Sequence, residues 1–124
     1  MAKRTTLRNK LDKQWSIIIR QKGRCEKCSK MTHLNAHHFY SKSALSTRWD
    51  LDNGVCLCPN CHTFSSVFSA HQTPADFVKW INNKRGKKWE NRLRKKHSMI
   101  VKYSVDDLRN ILKELECQQK MIEH

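Results

Sequence analysis

Apolar residues recur at helical spacing near the start of the chain. Leu7, Leu11, Trp15 and Ile18 or Ile19 fall on one side of the stretch from Thr6 to Gln21, and Gly23 stands just past its end, which predicts a helix. The pattern then breaks. Cys25 to Cys28 reads as a tight turn, His33 to Phe39 as a short strand, and Ser41 to Asp52 as a polar loop containing Trp49. Asn53-Gly54 is a turn signal ahead of a second short strand, Val55-Cys56-Leu57. From Pro59 a helix is expected through about Ser69, with Phe64, Val67 and Phe68 available to pack. Thr73 as N-cap and Pro74 at the first helical position open another helix that runs through Trp80. Ser104 caps a last helix, with Asp106 and Asp107 in its first turn and Leu108, Ile111, Leu112 and Leu115 on its apolar face. These elements describe a small α+β fold. A basic N-terminal helix occupies residues 1–24, a core occupies 25–72 and a helical extension occupies 73–124, all within one structural domain.

Charge changes the picture of what such a domain is for. The chain has 124 residues, 25 of them basic and 11 acidic, for a net charge of +14. Residues 1–30 carry ten Lys or Arg and two acids, and residues 84–102 carry nine basic residues against Glu90 alone. The stretch 31–83 is balanced, three of each sign. A positive excess this large implies a polyanionic partner, because each Lys or Arg set against a phosphate releases condensed counterions. DNA is the partner expected, with Lys84, Arg85, Lys87, Lys88, Arg92, Arg94, Lys95 and Lys96 as backbone contacts. The plain alternative for such a run is solvated surface. No apolar run approaches spanning length, so no membrane partner is expected. The first residues, Met1-Ala2-Lys3-Arg4-Thr5-Thr6, lack the apolar region of a secretory signal, and a reducing cytoplasm, bacterial or phage-infected, is expected.

The six cysteines fit that compartment. Cys25-Glu26-Lys27-Cys28 and Cys58-Pro59-Asn60-Cys61 are two CxxC pairs, each able to present two sulfurs to one ion. Four thiolates close a tetrahedral site of the structural zinc kind. Cys56 would compete for the metal if its strand turned it toward Cys58, but the knuckle has the better spacing, so Cys56 is assigned to the core. Cys117 reads as a small apolar or exposed thiol.

Between and beside the knuckles lie His37, His38, Asn53 and His62, in the order His–Asn–His. The surrounding pattern is CxxC, Ala36-His37-His38-Phe39, Asp52-Asn53-Gly54-Val55 and Leu57-Cys58-Pro59-Asn60-Cys61-His62. Across residues 24–64 this resembles the zinc-containing HNH (ββα-metal) endonucleases. More narrowly, the stretch from Ala36 to Trp80 resembles the phage NinG/Rap recombination nucleases through His38-Phe39-Tyr40, Arg48-Trp49-Asp50, Asn53 and the Cys58–Cys61 knuckle. The chain departs from some of these relatives in having His62 after the second knuckle and His37 in its strand. The resemblance implies a ββα-metal core stapled by zinc, flanked by basic helices, and a DNA endonuclease that leaves 5′-phosphate and 3′-hydroxyl ends on branched or single-stranded DNA. By the same resemblance His38 is the general base and His37 a metal ligand.

The residue types suit that chemistry. Phosphodiester hydrolysis needs a base for water and a cation for the charge developing on phosphate. Adjacent strand residues point apart, so His37 and His38 are placed to divide these tasks rather than chelate one ion. His62, at a helix start, is the opposing ligand for a catalytic Mg²⁺ or Mn²⁺. Asn53 would bond across the loop and fix the strands, unless it marks a plain Asn-Gly turn. Arg48 is the candidate for gripping the scissile phosphate with its planar fork. His71 is either a third ligand or a cap at a helix end, and the cap is preferred. His33 and His97 read as surface residues. Trp49, Trp80 and Trp89 read as packing residues rather than base-stacking platforms. A non-catalytic zinc DNA-binding module is the competing function.

Overall fold

The computed structural model describes residues 2–123. Met1, the first residue of the basic N-terminal stretch, and His124 lie outside it. Five helices surround a two-stranded antiparallel sheet. The elements are α1 (Ala2–Arg20), β1 (Asn35–His38), α2 (Leu45–Arg48), β2 (Gly54–Leu57), α3 (Pro74–Arg85), α4 (Lys87–His97) and α5 (Val105–Glu123). A 3-10 turn, Leu51–Asn53, leads into β2, and a π-helical turn, Asn60–Phe64, follows it.

β2 is buried along its whole length, which accounts for its unbroken apolar run. One face of the sheet, through Ala36 and Cys56, joins a core with Leu11, Trp15, Ile18 and Ile19 of α1 and Leu108 and Leu115 of α5. Cys56 is thus a core residue, as expected. The opposite face, through Val55 and Leu57, packs on Phe77 and Ile81 of α3 and on the cysteine knuckles. α1 and α5 run parallel: Arg4 donates to the Tyr103 carbonyl near their starts, and Gln14 bonds Gln119 near their ends. The register pairs His37 with Val55 and His38 with Gly54. Opposed residues share a face, so His37 faces α3 while His38 faces α1.

Several elements differ from expectation. α1 begins at Ala2, four residues before Thr6, because its cationic first turns pack Leu7 against the core beside α5. β1 is shorter than 33–39, and His33 lies at φ +56°, outside any strand. The supposed polar loop 41–52 contains α2 and buries Ser46, Thr47 and Trp49. The helix expected from Pro59 to Ser69 is only the π turn, after which the chain folds back. Phe64 and Val67 are left 68% and 86% exposed, and only Phe68 packs. α3 runs on to Arg85, and Gly86 at φ +92° separates it from α4. Pro74 occupies the first turn of α3 as expected, but Thr73 makes no side-chain cap. Its hydroxyl accepts from Ser69 N and donates to the Ser69 carbonyl instead. Ser104 does cap α5, and Asp107 completes a reciprocal box by accepting from Ser104 N.

Candidate metal centres and cleft

The first knuckle is shaped by its backbone. Cys25 N donates to Lys30 O at 2.8 Å, Ser29 N donates to Cys25 O at 2.9 Å, and Ser29 turns the corner at φ +67°. Glu26 fastens this loop to the sheet. Its backbone N–H donates to Cys56 O, while its carboxylate accepts from Cys56 N and from Arg85. The four sulfurs of Cys25, Cys28, Cys58 and Cys61 lie within 4.8 Å of one another, and those of Cys28 and Cys58 are 3.6 Å apart. Tetrahedral zinc with Zn–S near 2.3 Å needs sulfurs roughly 3.8 Å apart, so the cluster fits a closed four-thiolate site. These four cysteines could hold a metal such as zinc. Burial pushes the Cys25 thiol up, but backbone amides aimed at its sulfur outweigh this and bring it down to about 7. Cys56, by contrast, is pushed up to about 11 by burial and by Glu26 beside it, as befits a core thiol.

A second cluster forms on the α3 side of the sheet. The ring nitrogens of His37, His62 and His71 offer three ligand atoms within 4.8 Å of one another, and His62 Nε2 and His71 Nε2 stand 3.1 Å apart. The His71 placement overturns its assignment as a helix cap. The segment after the π turn doubles back, with Ala70 N donating to Cys61 O and His71 N to His62 O. The Gln72 side chain ties the same loop by donating to the Thr63 and Phe64 carbonyls. Spacing along the chain hid this contact, because a continuous helix over 59–69 would have carried His71 elsewhere. His37 is driven down to about 3 by burial and by the neighbouring imidazoles, and His62 is lowered by burial and by His71. Both rings are therefore neutral near pH 7, the form that ligates metal.

His38 lies on the other face. Its ring stacks on Trp15 with centroids 3.8 Å apart and planes 10° from parallel. Its Nε2 is 2.9 Å from the Arg48 carbonyl. A carbonyl only accepts, so Nε2 carries the proton and Nδ1 keeps the free lone pair. Burial lowers the His38 pKa, more than the Arg48 carbonyl and Asp12 raise it. The strand alternation that separates the two histidines is not a barrier between them. His37, His38, His62 and His71 all line one open cleft of about 570 Å³, together with Asp12, Trp15, Ser16, Ser41 and Lys42.

Asn53 is fully buried and clamps the loop that returns to the sheet. Its Nδ2 donates to Tyr40 O at 3.0 Å and to Thr47 O at 3.1 Å, and its Oδ1 accepts from Tyr40 N at 2.8 Å. Arg48 is occupied otherwise than expected. Its Nε and Nη2 form a forked pair with Asp12 at 3.0 and 2.7 Å, and Trp49 Nε1 donates to the same carboxylate. Asp12 stays ionised: burial alone would raise its pKa, and the Arg48 and Trp49 bonds hold it down.

The cationic run on α3 and α4 is likewise partly engaged. Arg85 binds Glu26 and the carbonyls of Asp52 and Gly54. Arg92 pairs with Asp50 and Asp52, Lys96 pairs with Asp50, and Lys84 donates to the Glu26 carbonyl. Arg94 bonds Asn91, and Lys87 pairs with Glu90. The run looked free of counter-charge only because its acids lie elsewhere in the chain. Trp49 is buried, Trp80 and Trp89 pack at the edge of the α3-side core, and His97 stacks on Tyr40 at 3.9 Å rather than lying free on the surface. Among the described residues, no helix is long and apolar enough to cross a membrane.

No family of proteins matches this chain, and neither a curated protein nor a solved structure does.

Proposed function

We propose that this protein is a metal-dependent DNA endonuclease of the ββα-metal (HNH) kind, with a zinc staple at Cys25, Cys28, Cys58 and Cys61. The observation that carries the reading is the convergence, in one cleft, of three imidazoles able to share an ion and a fourth, His38, with its Nδ1 lone pair unengaged. A purely structural zinc module gives no reason for that second constellation.

His37, His62 and His71 would hold the catalytic cation. When bound, it would act as a Lewis acid toward the phosphate and leaving oxygens. Imidazole suits zinc, iron, nickel and copper better than magnesium or manganese, which favour oxygen ligands, so an all-imidazole donor set favours the former. His38 accepts the proton of the attacking water at Nδ1. Trp15 and the Arg48 carbonyl fix the plane and tautomer of its ring, and Asn53 anchors the loop that carries that carbonyl. Products would carry 5′-phosphate and 3′-hydroxyl ends. A role in phage DNA recombination or processing, on branched or single-stranded DNA within a cytoplasm, accords with the NinG/Rap likeness.

The test is conversion of supercoiled plasmid to nicked and linear forms with Mn²⁺, Zn²⁺ or Mg²⁺ added. Cleavage by the wild type and a loss on the order of 10²–10⁴ in His38→Ala are expected. DNA binding without cleavage under every metal would establish the non-catalytic zinc module instead.

A further inference from the structure

We propose that Lys42, and not Arg48, is the cation that grips the DNA backbone at the cleft, with Lys13 and Arg20 of α1 continuing its track. The inference rests on the nuclease reading and names the contacts that reading leaves open. Arg48 has the Nε/Nη2 edge of its guanidinium on Asp12, and its side chain is only 16% exposed. That fork is committed to a carboxylate, so the Arg48 charge is already balanced before any phosphate arrives. Its pairing instead neutralises Asp12, the one acid among the described residues lining the cleft, which would otherwise repel a polyanion.

Lys42 is the one lysine or arginine on that lining, and it is exposed. Its charge also reaches across the cleft to Asp12, whose carboxyl it helps to hold below the usual range. The backbone that presents it is held by Ser41, whose hydroxyl accepts from Ser43 N at 3.2 Å and whose carbonyl accepts from Ala44 N at 3.0 Å. A lysine is suited to this place, as a compact point charge that meets a phosphate without a fixed planar geometry.

On α1, Ser16 reaches the cleft, and Lys13 and Arg20 lie three residues before and four after it on the same side of the helix. Arg20 Nε bonds the Ser16 carbonyl, which keeps its head beside that side of the helix. Among the described residues, no carboxylate lies within ion-pair distance of Lys13, Arg20 or Lys42. On α3 and α4, by contrast, Arg85, Arg92 and Lys96 are bound to Glu26, Asp50 and Asp52. Lys13, Arg20 and Lys42, at or beside the histidine cleft, thus keep their charges available to exchange small counterions for phosphate.

The test uses the full chain carrying His38→Ala, so that DNA stays uncut, and a fluorescein-labelled DNA duplex and single strand as probes. Anisotropy titrations across a salt series give the slope of log K against log salt. Lys42→Ala should weaken binding and lower that slope by about one, Lys42→Arg should restore it, and Lys13→Ala and Arg20→Ala should each act similarly. Lys113→Ala, exposed on α5, should leave the slope unchanged. With His38 intact, Lys42→Ala should reduce plasmid cleavage by on the order of 10². If the wild type cuts DNA and its His38→Ala form binds it, but adding Lys42→Ala changes neither rate nor slope, the inference is overturned and the nuclease reading stands. If the wild type does not cut DNA and its His38→Ala form binds neither probe, both are overturned.

Discussion

Replacing Gly54 with alanine should loosen the joint between α1 and the sheet. Gly54 is not there for its torsion angles, since its φ of −102° suits any residue. It is there for space. A methyl group at Gly54 would stand 2.5 Å from Ile19 Cγ1 and 2.9 Å from Trp15 Cζ2, and closer still to Ile19 Cδ1. Contacts under 3.0 Å force something to move. Ile19 and Trp15 are only 2% and 1% exposed, so neither has a void to enter. Overpacking of this kind costs about 1–3 kcal/mol, and two immovable neighbours place the cost near the upper end. For a chain of this length that lowers Tm by roughly 5–12 °C. Trp15 is also the platform under His38, so on the proposed nuclease reading cleavage should fall further than the loss of folded protein explains. Thermal unfolding followed by circular dichroism measures the first effect. A double-mutant cycle isolates its cause: Ile19→Ala alone should cost about 2–5 kcal/mol, and much less in the Gly54→Ala background, where it makes room for the methyl. A Gly54→Ala protein with unchanged Tm, or single costs that add in the double variant, would refute the close-approach account.

Other perturbations separate the two candidate metal centres. Cys25→Ser or Cys61→Ser should abolish tight zinc binding and unfold the chain, seen as lost metal in elemental analysis and lost helicity together. A metal-free chain of full helicity would sink the zinc staple. His71→Ala should leave the fold and the cysteine-bound metal intact yet weaken Co²⁺ binding at the imidazole cluster by on the order of 10² or more, read from visible absorption, since even indirect partners of a ligand are worth 10–100-fold. Unaltered binding would remove His71 from the ligand set. Acid stability should follow His37. Its folded pKa of about 3 lies below the unfolded value near 6.5, so unfolding takes up a proton in this window. The stability His37 contributes is whole above pH 6.5 and declines as pH falls toward 3. Urea midpoints should show that limb diminished in His37→Gln, and an identical profile would contradict it. Lys96→Glu should lower Tm by several degrees through loss of its 2.7 Å bond to Asp50, whereas Lys88→Glu and Lys95→Glu should not, and equal effects would deny the internal role of Lys96.

Local rules carried the reading of this chain wherever the signal was itself local. Two residues between cysteines suffice to aim both sulfurs at one ion, and the order of the knuckles left little doubt about which four cysteines would meet. Strand alternation alone separated His37 from His38, and Ser104, Pro74 and the apolar spacing of α1 and α5 marked helices where helices stand. What the sequence could not decide depended on chain reversal and on partners distant along it. The π turn stops a helix that periodicity would have continued, and the doubling back at Ala70 and His71 brings a third imidazole to the cluster through two backbone bonds that no side chain announces. Arg48, Arg85, Arg92 and Lys96 look like free cations in a linear charge count, yet each finds its carboxylate 36 to 59 positions away. Gly54 reads as half of a turn and serves as the gap that lets α1 touch the sheet. The sequence determined which side chains can do chemistry. Only packing decided which cations remain available for a partner, because a charge is free or committed according to what the folded chain sets beside it.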